Sequence, residues 1–457
     1  MMKKSKDVDL GKDPIRHLLW VLALPAITSQ VVNALYNMVD RMYIGHIPEI
    51  GATALTGMGI CFPIIMIVSA TSFLFGVGGA PRAGIFMGKK DNETAQKILG
   101  NGFTCLSIAS VMITILLLLL LLFKEPLLML FGASENTLPY AMQYISIYAL
   151  GTIFVQLTLG MNAYIGTQGF SKVSMQTVLI GAITNIVLDP ILIFGFNLGV
   201  KGAAIATVLS QALSALWALR FLTSEKSILK LKKENLRLEK EIVLPSLSLG
   251  IAPFMMQATE SLLVLCFNSS LLKYGGDVAV GTMTILSSIM QFAMLPLMGL
   301  TQGGQPIMSY NYGAKQASRV KEAFKLQTTC CLIYTLILWA GIMVVPGVFV
   351  SIFTSDLTLH SYASQMARIY LSCLFVMGLQ NSCQQAFIAF GNAKTSAFLA
   401  IFRKIIVLIP LIFILPLFFE DQVKAVFLAE PIADIIAVSV TSFLFYKEFK
   451  KMMRQMR

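Results

Sequence analysis

The chain has 457 residues, of which 56% are hydrophobic and 13% charged, with a mean hydropathy of +0.76. Soluble domains carry about a quarter charged residues, so a water-soluble enzyme or binding module is excluded and lipid is the expected solvent. The net charge of +12 would suit nucleic acid, but the basic residues are sorted between loops as in a membrane-orientation signal, and no nucleic-acid partner is expected.

Apolar runs of about 20 residues, enough to cross a hydrocarbon core roughly 30 Å thick, recur along the chain. In order, the expected spans are 15–44, 52–80, 96–123, 137–163, 172–196, 200–222, 243–272, 278–305, 320–351, 358–389, 396–418 and 424–446. They are read as helices, because helices satisfy the backbone internally. The unbroken apolar run from Ile113 to Phe123 also lacks the alternation of a barrel strand. The first run is too long, and lacks the small-residue cleavage site, for a removable signal peptide.

The second six spans repeat the first. Gly78-Gly79-Ala80-Pro81 with Gly88 returns, at one constant offset, as Gly303-Gly304-Gln305-Pro306 with Gly313. Gly169, Lys172 and Ser174 return as Gly391, Lys394 and Ser396, and Pro25 as Pro253. An even number of spans per copy makes the repeats parallel. The expected division is an N-terminal lobe at 1–222, a Lys- and Glu-rich cytoplasmic linker at 223–241 and a C-terminal lobe at 242–457. A cleft between the lobes is expected.

Basic residues collect on one side: Lys3, Lys4, Lys6, Lys12 and Arg16, then Arg82, Lys89, Lys90 and Lys97, the linker, Lys315, Arg319, Lys321 and Lys325, and the tail from Lys447 to Arg457. The opposite loops carry Lys124, Lys201, Lys273 and Lys424. Both termini are therefore expected in the cytoplasm. Residues 82–97 and 313–325 read as matching cytoplasmic loops suited to lipid headgroups. The cysteines lie inside apolar spans without metal-site spacing and read as packing residues, and Gly76-Val77-Gly78-Gly79 reads as close helix contact.

An ionisable group in hydrocarbon costs about 2.5–3.5 kcal/mol on insertion scales and marks a functional candidate. On the first span Asn33, Tyr36, Asn37 and Asp40 share one face. On the fifth, Asn185 and Asp189 stand one turn apart, and Pro190 removes the amide that would bond the Ile186 carbonyl. The sixth adds Thr207, Gln211 and Ser214 on one face. Asp40, Asp189 and Thr207 fall at a similar depth, roughly 6–10 Å from the outer helix ends, and can share one pocket. On the seventh span Gln257 precedes Glu260 by a turn, and Glu260 is expected to face the cleft. Arg403 and Lys404 on the eleventh span reach the depth of Glu430 and Asp434 on the twelfth, inviting ion pairs that serve either as structural glue or as a second coupling element. Met255, Met256, Met283, Met290, Met294 and Met298 offer flexible thioether surface for apolar ligands.

Asn37-Met38-Val39-Asp40-Arg41-Met42-Tyr43-Ile44-Gly45, Asn185-Ile186-Val187-Leu188-Asp189-Pro190-Ile191 and the sixth-span stretch 199–207, set in two six-span repeats, together resemble the multidrug and toxic compound extrusion (MATE) family over nearly the whole chain. The resemblance implies an all-α integral membrane protein, with twelve transmembrane helices in two parallel-repeat six-helix lobes forming a V-shaped cleft. It implies multidrug efflux, with antibiotic resistance as its consequence: antiport of lipophilic, often cationic organic compounds against protons or sodium, by alternating access.

The family's ion site maps onto Asp40, Asn185, Asp189 and Thr207, which would also hold sodium, and its seventh-span acid onto Glu260. Asn33, Tyr36, Asn37, Gln211, Gln257 and Met290 are the candidates for substrate contact. No cofactor beyond the coupling ion is expected, and the protein is expected to be a monomer, surrounded by lipid, in the cell inner (plasma) membrane. The tenth span has Gln380, Asn381, Gln384 and Gln385 where some sodium-coupled relatives carry an acid, which argues against a two-carboxylate sodium site in the second lobe. The alternative reading is a flippase for lipid-linked saccharides on a related fold, but cationic cleft residues would then be expected. No catalytic motif supports an enzyme.

Overall fold

The computed structural model describes residues 8–122 and 134–456, with side chains described to residue 119 in the first segment. Lys3, Lys4, Lys6, Phe123, Lys124 and Arg457 lie outside the described residues. The described chain is helical throughout, in six spans per repeat. The first six are Ile15–Gly45, Gly51–Gly88, Asn92–Leu122, Leu138–Thr167, Ser171–Pro190 continued by the π-helical turn Ile191–Gly195, and Val200–Leu222. The seventh and eighth run as one stretch, Lys240–Gly313, broken at Gly276, whose φ of 63° with ψ of −160° is a combination that glycine alone adopts without strain. The ninth is Ala317–Val344.

The tenth crossing is Leu357–Tyr370 and Met377–Ala389 around a turn, not the unbroken helix expected over 358–389. The turn strands carbonyls, and the ninth helix takes them: Trp339 Nε1 donates to Ser372 O at 2.7 Å and Thr335 Oγ1 to Phe375 O at 3.0 Å. The eleventh runs from Ala393–Ile401 through a π-helical stretch Phe402–Leu408 to Ile409–Ile414, and the twelfth is Gln422–Gln455. Asp356, Asn392 and Asp421 cap the helices that follow them by accepting the amides of Leu359, Thr395 and Lys424.

Two expected boundaries move. The ninth helix stops before Pro346, which starts a separate short turn, Pro346–Val350. The loops expected at 82–97 and 313–325 shrink to three residues each, because Pro81 and Pro306 lie inside helices that continue to Gly88 and Gly313. The linker is folded onto the first six spans. Asn101 donates to the carbonyls of Asn235 and Arg237 and accepts from Glu239 N, Thr104 donates to Leu236 O, and Gln168 accepts from Leu229 N.

The chain forms two compact units. One comprises residues Thr28–Gln257 and the other Asp9–Ile27 with Ala258–Arg457. Neither coincides with a sequence repeat, because each takes the N-terminal half of a helix that begins the other repeat. The Gly-Gly-x-Pro motifs explain how. A side chain on Gly78 would strike the backbone of Ser246 and Gly250, and one on Gly303 the backbone at Ala23. The next glycines, Gly79 and Gly304, admit the Tyr164 hydroxyl and the Gln327 amide. Polar clips then hold each borrowed segment: Arg82 donates to Ile242 O at 2.7 Å and to Ser246 Oγ, and Arg319 donates to Leu10 O and Asp13 O. Gly76 lies against the backbone of Gly160, as close helix contact requires.

Because the obstacles at Gly78 and Gly303 are backbone rather than movable side chains, Gly78→Val and Gly303→Val should each destabilise by about 1–3 kcal/mol or more. Thermal unfolding in detergent checks this, with Gly59→Val, where a side chain meets nothing, as the tolerant control.

Candidate functional site

The unit of residues Thr28–Gln257 buries two carboxylates side by side. Asp40 is 4% exposed and Asp189 fully buried, and their carboxyl groups face each other. Sequence places them there through three helices. Asn185 stands one turn before Asp189 and donates Nδ2 to its Oδ1 at 3.3 Å. Pro190 breaks the regular ladder, and the helix widens into the turn Ile191–Gly195, where Phe196 N reaches back to Ile191 O. From the sixth helix Thr207 enters the same pocket, and from the first Tyr36 lies beside Gln211, Asp40 and Asp189.

The oxygens of this pocket are short of donors. Among the described residues Asp40 Oδ1, Asn185 Oδ1, Asp189 Oδ2, Thr207 Oγ1 and Gln211 Oε1 are buried without a hydrogen bond of standard geometry. The Tyr144 hydroxyl approaches Thr207 without closing one. Neither carboxylate has an ion pair to Lys, Arg or His among the described residues. Arg41 instead lies over the Phe62 ring, 5.5 Å from its centroid. Unsatisfied buried oxygens around two acids favour a proton or a small cation, since both groups and their like charges must otherwise be desolvated. No three His, Cys, Asp or Glu side chains gather among the described residues. A bound sodium would therefore rest on two carboxylates plus amide and hydroxyl oxygens, a donor set of the hard kind it requires.

The second unit holds a different cluster. Arg403 donates Nε to Asp434 Oδ1 at 2.9 Å and Nη2 to Glu430 Oε1 at 2.7 Å, while Lys404 pairs with Glu260. Tyr370 is buried within the field of this network. The expected grouping of both basic residues with Glu430 and Asp434 is thus redistributed, and Glu260 joins through Lys404.

The remaining candidates stand apart. Asn33 and Asn37 are exposed, and Asn37 donates Nδ2 to the Asn33 carbonyl at 2.7 Å. Gln257 ends the first unit, its Nε2 3.0 Å from Met66 Sδ, and so is divided from Glu260. Met290 is half-buried on the eighth helix. Tyr144 and Tyr148, absent from the candidates above, are stacked at 6.1 Å on the fourth helix. Their spacing with Tyr140, four residues apart each time on an apolar span, is a legible signal.

A family model, MatE, matches residues 25–191 and 253–414. The chain belongs to the MatE family. The matched blocks fall one in each repeat, and MatE members are multi-pass membrane transporters of the multidrug efflux class, not enzymes. The multidrug export protein MepA of Staphylococcus aureus is 24% identical over 448 residues, 97% of each chain. MepA of Staphylococcus saprophyticus subsp. saprophyticus is 24% identical over 424 residues, 92% of each. Among solved structures, a MATE protein in the bent conformation aligns with a TM-score of 0.92 at 21% identity, over 99% of this chain and 100% of that one. An outward-facing multidrug resistance MATE transporter of the MOP superfamily aligns at 0.91 and 22%, over 98% and 99%. These likenesses establish the fold of twelve helices in two lobes for this MatE protein.

Arg403 answers two buried acids, so Arg403→Met should cost about 3–5 kcal/mol, the penalty for stranding a buried charge. The triple change Arg403→Met, Glu430→Gln, Asp434→Asn should recover most of that loss. Comparing midpoints of thermal unfolding for the two proteins tests the assignment.

Proposed function

We propose that this MatE protein exports lipophilic organic cations by antiport against protons or sodium, with Asp40, Asn185, Asp189 and Thr207 as the ion site in the Thr28–Gln257 unit. One observation carries the reading: two adjoining buried carboxylates with no ion pair to a basic side chain among the described residues, ringed by oxygens without a hydrogen bond of standard geometry. Ionised, the pair attracts a cationic compound. When a proton or sodium neutralises it, that attraction is lost and the compound is released. Competition for one charge couples the two movements. The names of the MepA relatives, both multidrug export proteins, support small organic compounds as cargo. An anionic lipid-linked pyrophosphate would instead meet two carboxylates, which disfavours the flippase reading.

The energetics allow it. Moving one charge through 100 mV is worth about 2.3 kcal/mol, or roughly fortyfold in concentration. An electroneutral swap of a monovalent cation for one proton gains only from the pH difference. The distribution of basic residues supports a cell-membrane location with both termini in the cytoplasm.

Proteoliposomes loaded with a fluorescent cationic dye, under either a pH or a sodium gradient, separate the ions. Asp40→Asn and Asp189→Asn should each lower gradient-driven transport by at least roughly tenfold, with Glu260→Gln as a probe of the second unit. Undiminished transport in the two aspartate variants would remove the ion site. Failure of Glu260→Gln alone would move coupling to the second unit.

A further inference from the structure

The repeat places the charged network of the second unit where a second copy of the carboxylate pocket would stand. Ile186-Val187-Leu188-Asp189-Pro190 returns as Ile406-Val407-Leu408-Ile409-Pro410, with Ile409 in place of Asp189. Val200-Lys201 returns as Val423-Lys424, and the same offset sets Glu430 at the position of Thr207 and Asp434 at that of Gln211. Tyr370 takes the position of Tyr148, at the spacing that also relates Gly391 to Gly169. Both copies widen into a π-helical stretch beside their ionisable groups. Their charge plans differ. The first copy gathers acids that form no ion pair among the described residues, whereas the second supplies its own cations, Arg403 and Lys404.

Those two cations meet different acids. Arg403 is locked by Glu430 and Asp434 together. Lys404 has a side chain only 8% exposed, but the carboxylate it meets, Glu260, is 57% exposed. Glu260 is thus the one acid of this cluster left largely open, and it is not one of the two that pair with Arg403. Three carboxylates against two basic groups leave one formal negative charge over, which one monovalent cation neutralises. Lys404 also lies within the field of Glu430, so an ammonium released from Glu260 still faces an acid. A lysine is a mobile point charge on a flexible stem, suited to yielding in a way that a two-pronged arginine is not.

We propose that Lys404 is a built-in counter-cation that holds Glu260 until an organic cation takes its place, so that this pair sets how strongly the second unit prefers positive over neutral compounds. The proposal rests on the export of organic cations put forward above, and it assigns Lys404 a positioning role exerted through Glu260. No covalent step is involved, because one ion pair is exchanged for another.

The test measures equilibrium binding of tetraphenylphosphonium and of neutral triphenylphosphine oxide to the full-length protein in lipid nanodiscs. Lys404→Met, and Lys404→Gln as a milder second variant, should tighten tetraphenylphosphonium binding roughly tenfold while the neutral compound stays within about twofold. Lys404→Arg should bind the cation no better than the wild type. The double change Lys404→Met, Glu260→Gln should abolish the gain. General structural damage would weaken both ligands together and leave their ratio unmoved.

An unchanged ratio in both Lys404→Met and Lys404→Gln, in a protein whose wild type binds and exports tetraphenylphosphonium, overturns the counter-cation role alone. Retention of the gain in the double variant also overturns it. A wild type that neither binds nor exports the cation overturns the export reading and this inference together.

Discussion

A carboxylate taken out of water must be given a counter-charge, a proton or a full set of hydrogen bonds, and in a bilayer the alternatives are expensive. Asp40 and Asp189 meet that demand only in part, for Asn185 supplies one donor to Asp189 and several surrounding oxygens have none. The local irregularities of the first unit serve this arrangement. Pro190 and the widened turn after it lie directly beside Asp189, and the tyrosines of the fourth helix wall the pocket with rings whose only polar group is a hydroxyl. An incompletely satisfied site of this kind costs stability, and the tightly packed apolar core around Tyr144, Tyr148 and Ala203 holds it in place.

The second unit solves the same problem from the opposite direction. Its acids are answered internally by Arg403 and Lys404, and its broken tenth crossing is answered by Trp339 and Thr335. A duplicated framework has thus been filled with two charge plans. Geometry common to both copies, such as the glycine contacts at Gly78 and Gly303, fixes where helices meet, and the residues lining each copy decide what each can hold.

Most of the architecture was legible in the chain, because lipid leaves few ways to satisfy a backbone. The sixth helix falls where its apolar run does, and Gly276 divides the seventh and eighth spans between the expected bounds at 272 and 278. The grouping of Asp40, Asp189 and Thr207 was equally readable, since helical spacing puts them at a similar depth, with Asn185 one turn from Asp189. Contacts between helices were harder to read. Nothing local in Lys404 says that it turns to Glu260 rather than Glu430, because that choice depends on how the seventh and eleventh helices pack. Pro81 and Pro306 look like helix ends in the sequence, yet in the structure they sit inside helices that run on to Gly88 and Gly313. The exchange of half-helices between the units is likewise invisible to a repeat comparison, which sees similarity and not partnership.

That exchange bears on how the molecule is made. A ribosome that has released only the first six spans has built a lobe lacking one of its walls, since residues up to Gln257 are needed to finish it, while Asp9–Ile27 waits for partners still to be synthesised. Biogenesis must keep an early segment unclaimed until the late ones arrive. A gene cut at the repeat boundary would yield two incomplete pieces, each deprived of a strip that the other carries.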